Sequence, residues 1–115
     1  MVILIIHLDS DIFDVVNKGT KNIEARVNDE KRRNLHIGDK IIFLKRPDNI
    51  EKIEAIVEDL KYYNNFEEMV KDYDIENMYL KGYSKDYYIN DILGRFYTKE
   101  DQEKYGVVAI KFKII

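Results

Sequence analysis

A chain of 115 residues is long enough to bury one core and short for two, so one domain spanning residues 1–115 is expected. Hydrophobic residues make up 45% and charged residues 36%, with one Pro and five Gly, which excludes a disordered or low-complexity chain. The lack of cysteine excludes disulfides, thiolate metal sites and thiol catalysis, and a net charge of −3 argues against a protein that coats duplex nucleic acid through many phosphate contacts.

The opening Met1-Val2-Ile3-Leu4-Ile5-Ile6 is apolar but is stopped by His7 and Asp9, short of a signal peptide or a membrane span. It reads as a buried strand of a cytoplasmic protein with no membrane partner. Asp9, Ser10 and Asp11 are capping residues for a helix whose Ile12, Val15 and Val16 share one side, and Gly19 supplies its stop. From Asn22 to Val27 the period changes to two. Ile23, Ala25 and Val27 point one way, Glu24 and Arg26 the other, as in a half-buried strand.

Gly38-Asp39 signals a turn, and Lys40 to Leu44 reads as a strand buried on both faces. After the turn at Pro47-Asp48-Asn49, Ile53, Ala55 and Val57 alternate with Lys52, Glu54 and Glu58 in a strand with one wet face. Phe66, Met69 and Val70 predict a short helix, and Ile89, Ile92, Leu93 and Phe96 place a second within Lys85 to Tyr97. Thr98 and Asp101 have capping-box spacing. Gly106 then releases a last strand from Val107 to Ile115, with Val108, Ile110, Phe112 and Ile114 on one face and Val107, Ala109, Lys111 and Lys113 on the other. Strands at both termini with helices confined to the connections predict an α+β fold with a mixed, barrel-like sheet.

Three charged residues stand out for chemistry. Lys21 sits at a strand entrance, and Glu24 and Arg26 follow on its polar face. A carboxylate can act as acid, base or acceptor, and the cations can hold phosphate or an oxyanion. The same spacing also describes an exposed ion pair that binds nothing. All nine tyrosines lie between Tyr62 and Tyr105, a concentration that serves either packing or base stacking, the latter at about 1–3 kcal/mol per base. Basic residues cluster at Lys31-Arg32-Arg33 and at Lys45-Arg46, where a solvated face explains them as well as a ligand does. His7 and His36 form no HxH or HExxH arrangement, so no metal is expected, and phosphate-loop, dinucleotide and nucleophile-elbow motifs are missing, so neither is a cofactor.

Taken in order, Gly19-x-Lys21-x-x-Glu24-x-Arg26, Gly38-Asp39-Lys40-Ile41-Ile42-Phe43, Tyr63-x-x-Phe66 and Tyr105-Gly106-Val107-Val108-Ala109-Ile110-Lys111-Phe112 resemble an ASCH domain, most closely its small stand-alone bacterial and archaeal members. The resemblance runs from about Leu8 to Ile114. It implies a PUA-like mixed β-barrel with a cleft beside the first motif that binds RNA, a nucleotide or a nucleoside. Lys21, Glu24 and Arg26 are then ligand-binding residues, with Tyr63, Tyr97 and Tyr105 as stacking candidates. Some members are acetylcytidine amidohydrolases with a Lys, a Thr and a Glu at the catalytic centre, and others have been proposed as ribonucleases. Lys21 corresponds to that Lys, Glu24 stands where the Thr would be, and Glu76 is the candidate for the Glu. A carboxylate beside Lys21 holds the amine as an ammonium, which favours binding over hydrolysis. On this reading Lys21→Ala and Arg26→Ala weaken ligand binding and leave the melting temperature nearly unchanged.

Overall fold

The computed structural model describes residues 1–115. In chain order the elements are β1 (Ile3–Leu8), α1 (Ser10–Asn17), β2 (Ile23–Val27), α2 (Glu30–Arg33), β3 (Lys40–Lys45), β4 (Lys52–Tyr63), α3 (Phe66–Met69), α4 (Ile75–Met78), α5 (Lys85–Tyr87), α6 (Lys99–Tyr105) and β5 (Val107–Ile114). The strands form one sheet in the order β1-β3-β4-β5-β2, with β1 parallel to β3 and every other pair antiparallel. It curls into a mixed half-barrel, because residues of both edge strands, His7 of β1 and Glu24 of β2, line one cavity.

Each face of the sheet carries its own core. On one face Leu4, Ile6, Ile41, Phe43, Ala55, Val57, Ile110 and Phe112 pack with Phe13 and Val16 of α1, and the rings of Phe43 and Phe112 lie 4.8 Å apart. On the other, Ile23, Ala25 and Val27 of β2 and Val107 and Ala109 of β5 pack under Phe66, Met69, Met78, Tyr88 and Leu93 from the helical segments. The lysine side of the last strand is therefore wet only in its second half, at Lys111 and Lys113. Helices cover the first half.

Two strands differ from their sequence reading. Expected to be buried, β1 is an edge strand paired only with β3, and Ile3 and Ile5 are exposed on its outer side. Likewise β3 buries Ile41 and Phe43 fully but leaves Ile42 and Leu44 half-buried. An apolar run reports how hydrophobic a strand is without reporting whether a second layer covers it. In β4 the register slips between Val57 and Asp59. That bulge at Glu58 brings Leu60, rather than Asp59, onto the face of Ile110, its partner in β5.

Local signals hold well at the helix ends. The Thr98 hydroxyl accepts from Asp101 N–H while the Asp101 carboxylate accepts from Thr98 N–H, a complete capping box for α6. The helix expected over Lys85 to Tyr97 is broken into α5, a wide π turn over Tyr88–Ile92 and a 3₁₀ turn over Leu93–Arg95. Gly94 permits the tight approach there, since a Cβ at that position would lie 3.3 Å from the Ile89 carbonyl oxygen.

Candidate functional site

The site begins where α1 ends. Gly19 takes a φ of +82°, a conformation that favours glycine, and the N–H groups of Thr20 and Lys21 both donate to the Val15 carbonyl at 3.1 Å. The chain is then pinned to α4: Asn22 N–H donates to the Asn77 carbonyl at 3.0 Å, and the Asn77 side-chain amide donates to the Thr20 carbonyl at 3.3 Å. This entry sends Lys21 inward.

The Lys21 Nζ donates to the carbonyls of Ile23 and Met78, both at 2.6 Å, and lies 3.2 Å from Glu24 Oε1. The other Glu24 oxygen accepts from Arg26 Nη2 at 2.7 Å. The Lys21 and Glu24 side chains are 3% and 8% exposed, whereas Arg26 keeps 24%. The exposed-pair reading of the spacing is therefore overturned, because the second face of β2 is closed off together with the first. The row runs cation, anion, cation, with the first two charges buried and the third half-buried.

Burial draws the Lys21 pKa below the ordinary lysine value, with the Glu24 carboxylate opposing it. The three acceptors around Nζ match the three N–H donors of an ammonium. For Glu24, burial alone would raise the pKa, but Lys21 and Arg26 overcome it and bring the carboxyl down to about 2. Burial likewise works against the Arg26 charge, and Glu24, with the nearby Tyr97 phenol, more than offsets it and raises its pKa.

This triad lies on a cavity of about 230 Å³, whose wall also includes His7, Arg46, Tyr79, Tyr88, Arg95 and Tyr97. Four cationic side chains, Lys21, Arg26, Arg46 and Arg95, face three carboxylates, Asp9, Asp11 and Glu24. The rings of Tyr79 and Tyr88 stack at 5.4 Å. In a chain with a net charge of −3, the cavity is a local reversal of sign.

Of the residues singled out in the sequence, Lys21, Glu24, Arg26 and Tyr97 come together here. Tyr63 and Tyr105 do not. They line an adjoining groove of about 1010 Å³ that shares Tyr97 with the cavity, and the Tyr63 hydroxyl donates to Asp72 at 2.7 Å. Glu76 lies in the first turn of α4 and is not part of the cavity wall. Sequence reasoning did not single out Tyr79, Tyr88 and Arg95 individually. The crowding of tyrosines between Tyr62 and Tyr105 was the signal for the first two, and nothing local marked the third.

Residues 6–115 match the ASCH domain family. Among solved structures, the crystal structure of hypothetical protein PH0355 shares 32% identity over 99% of this chain and 100% of that one, with a TM-score of 0.84. The solution structure of protein PF0455 from Pyrococcus furiosus shares 29% identity over 99% and 98%, with a TM-score of 0.75. The crystal structure of ASCH from Zymomonas mobilis is similar in fold alone, at 12% identity over 96% of this chain and 66% of that one, with a TM-score of 0.59. No curated protein matches the chain.

Proposed function

The chain belongs to the ASCH domain family, and from that premise we propose that it binds RNA or a nucleotide or nucleoside in the cavity between the edges of its PUA-like sheet. One observation carries the proposal: the buried Lys21–Glu24 pair and the half-buried Arg26 lie on the wall of a concavity walled by tyrosines, with Arg46 and Arg95 also on its wall. Aromatic faces suit a base, and cations suit phosphate or carbonyl oxygens. The volume of about 230 Å³ lies below the roughly 300 Å³ at which drug-sized pockets begin and matches a single base more closely than a folded nucleic acid.

In this reading each member of the row has a distinct part. Lys21 is a positioning residue, tying β2 to the end of α4 through the Met78 carbonyl. Glu24 holds the two cations in place. Arg26, the most open of the three, meets the ligand. Arg26→Ala therefore weakens binding of a short single-stranded RNA or of free nucleosides at least tenfold in fluorescence anisotropy or calorimetry, with circular dichroism confirming that the variant is folded. Unchanged affinity in a folded Arg26→Ala protein would sink the site.

Burial of Lys21, which lowers its pKa, favours a second reading, an amidohydrolase acting on an acylated cytidine or an RNA-cleaving enzyme with Lys21 and Glu24 as the central pair and Glu76 as third member. That chemistry needs a free amine, and three acceptors surround Nζ. Incubation with acetylcytidine and with labelled RNA separates the readings: product above an inactive background, lost in Lys21→Arg, would establish catalysis.

A further inference from the structure

Resting on the nucleoside-binding reading, the hydrogen-bonding capacity left unused around the cavity narrows the ligand. Its buried carboxylate is engaged. Glu24 gives one oxygen to Lys21 and the other to Arg26, while the two exposed carboxylates each have one oxygen held, Asp9 by Arg46 at 3.4 Å and Asp11 by Ile12 N–H at 2.9 Å. The three N–H groups of Lys21 are matched as well.

What remains on the buried wall is a set of N–H and O–H donors. The short hydrogen bond of the Arg26 guanidinium runs from Nη2 to Glu24 at 2.7 Å, and its Nε is buried with no partner. The Tyr88 hydroxyl, on a residue 3% exposed, makes no hydrogen bond to another side chain or to the backbone among those of the cavity residues. Burial, and after it the Glu24 carboxylate, push its pKa up, so the hydroxyl keeps its proton. Beside the guanidinium stands the Tyr97 phenol.

We infer that the cavity selects bases that present a carbonyl oxygen at the edge, such as uracil and hypoxanthine or guanine, over cytosine and adenine, which present an amino group there. A carbonyl oxygen accepts from Arg26 and the tyrosyl hydroxyls, whereas an amino group faces the guanidinium donor against donor and finds acceptors only in the tyrosyl hydroxyls. The base-edge patterns differ at the atom concerned: O6 and O4 accept, N6 and N4 donate. Glu24, although it is a carboxylate, does not reverse the preference, because both its oxygens are already held.

Isothermal titration calorimetry of the full chain with uridine against cytidine, and inosine against adenosine, tests the inference, with inorganic phosphate as a separate arm. Uridine and inosine bind about tenfold more tightly than their amino counterparts. In Tyr88→Phe, which keeps the ring and removes the donor, the gap narrows by severalfold through loss of affinity for the carbonyl ligands alone. Equal binding within both pairs, or a preference for the amino bases, would overturn the inference and leave the nucleoside reading standing. Silence of all four nucleosides, with phosphate bound or unbound, would overturn both.

Discussion

Two concavities of this molecule are walled by tyrosines and share Tyr97, yet they differ in size and charge. The larger, about 1010 Å³, runs along the end of β4, α3 and α6 and carries Glu67, Glu68 and Glu103 against a single Lys99. Its ordered polar groups serve the fold: Gln102 accepts from Phe66 N–H, and Asn65 accepts from Glu68 N–H. The smaller, about 230 Å³, holds a largely buried row of alternating charges and two cationic residues beyond it. Volume alone would choose the first. Desolvated charge with unused donors chooses the second, because such groups cost stability and persist where they serve packing specificity or a ligand.

The largest expected effect separates the two directly. Lys21→Ala leaves Glu24 buried with one partner fewer and strips the cation from the Ile23 and Met78 carbonyls, so unfolding stability falls by about 3–5 kcal/mol in urea denaturation. The expectation from sequence that this variant melts like the wild type does not survive the burial of its side chain. A near-wild-type midpoint for Lys21→Ala would reduce the triad to the surface pair its spacing resembles.

Acid sharpens the same contrast. The Glu24 carboxyl falls from 4.5 to about 2 on folding, so the folded state binds its proton less readily than the unfolded chain. A depressed acid pKa adds stability above the unfolded value, and that contribution disappears as pH falls from about 4.5 towards 2. Urea midpoints measured across that window should drop steeply in the wild type and more shallowly in Glu24→Gln. Parallel profiles would show that other carboxylates control acid unfolding.

Substitutions in the groove have smaller consequences. Gly106 has a φ of +69°, and an added Cβ would lie 3.1 Å from the Tyr63 carbonyl oxygen, so Gly106→Ala costs about 1–2 kcal/mol through backbone strain. Glu103→Ala, an exposed side chain, stays within about 0.5 kcal/mol of wild type. In binding assays it leaves nucleoside affinity unchanged, whereas Arg26→Ala does not. A loss of affinity from Glu103→Ala would transfer the site to the groove.

Local pattern alone placed the two-residue alternation of β2, β4 and β5, the glycine stop at Gly19, and the Thr98–Asp101 cap, because each depends on neighbours within a few residues. It also picked out Lys21, Glu24 and Arg26 and, with the order of four motifs, their family. Tertiary structure alone decided that the row is buried, that Tyr97 joins it while Tyr63 and Tyr105 do not, and that β1 is an edge. The reason is physical. Periodicity states which side chains share a face of a strand, but α4 and the turns after α5, distant in sequence from β2, determine whether that face meets water.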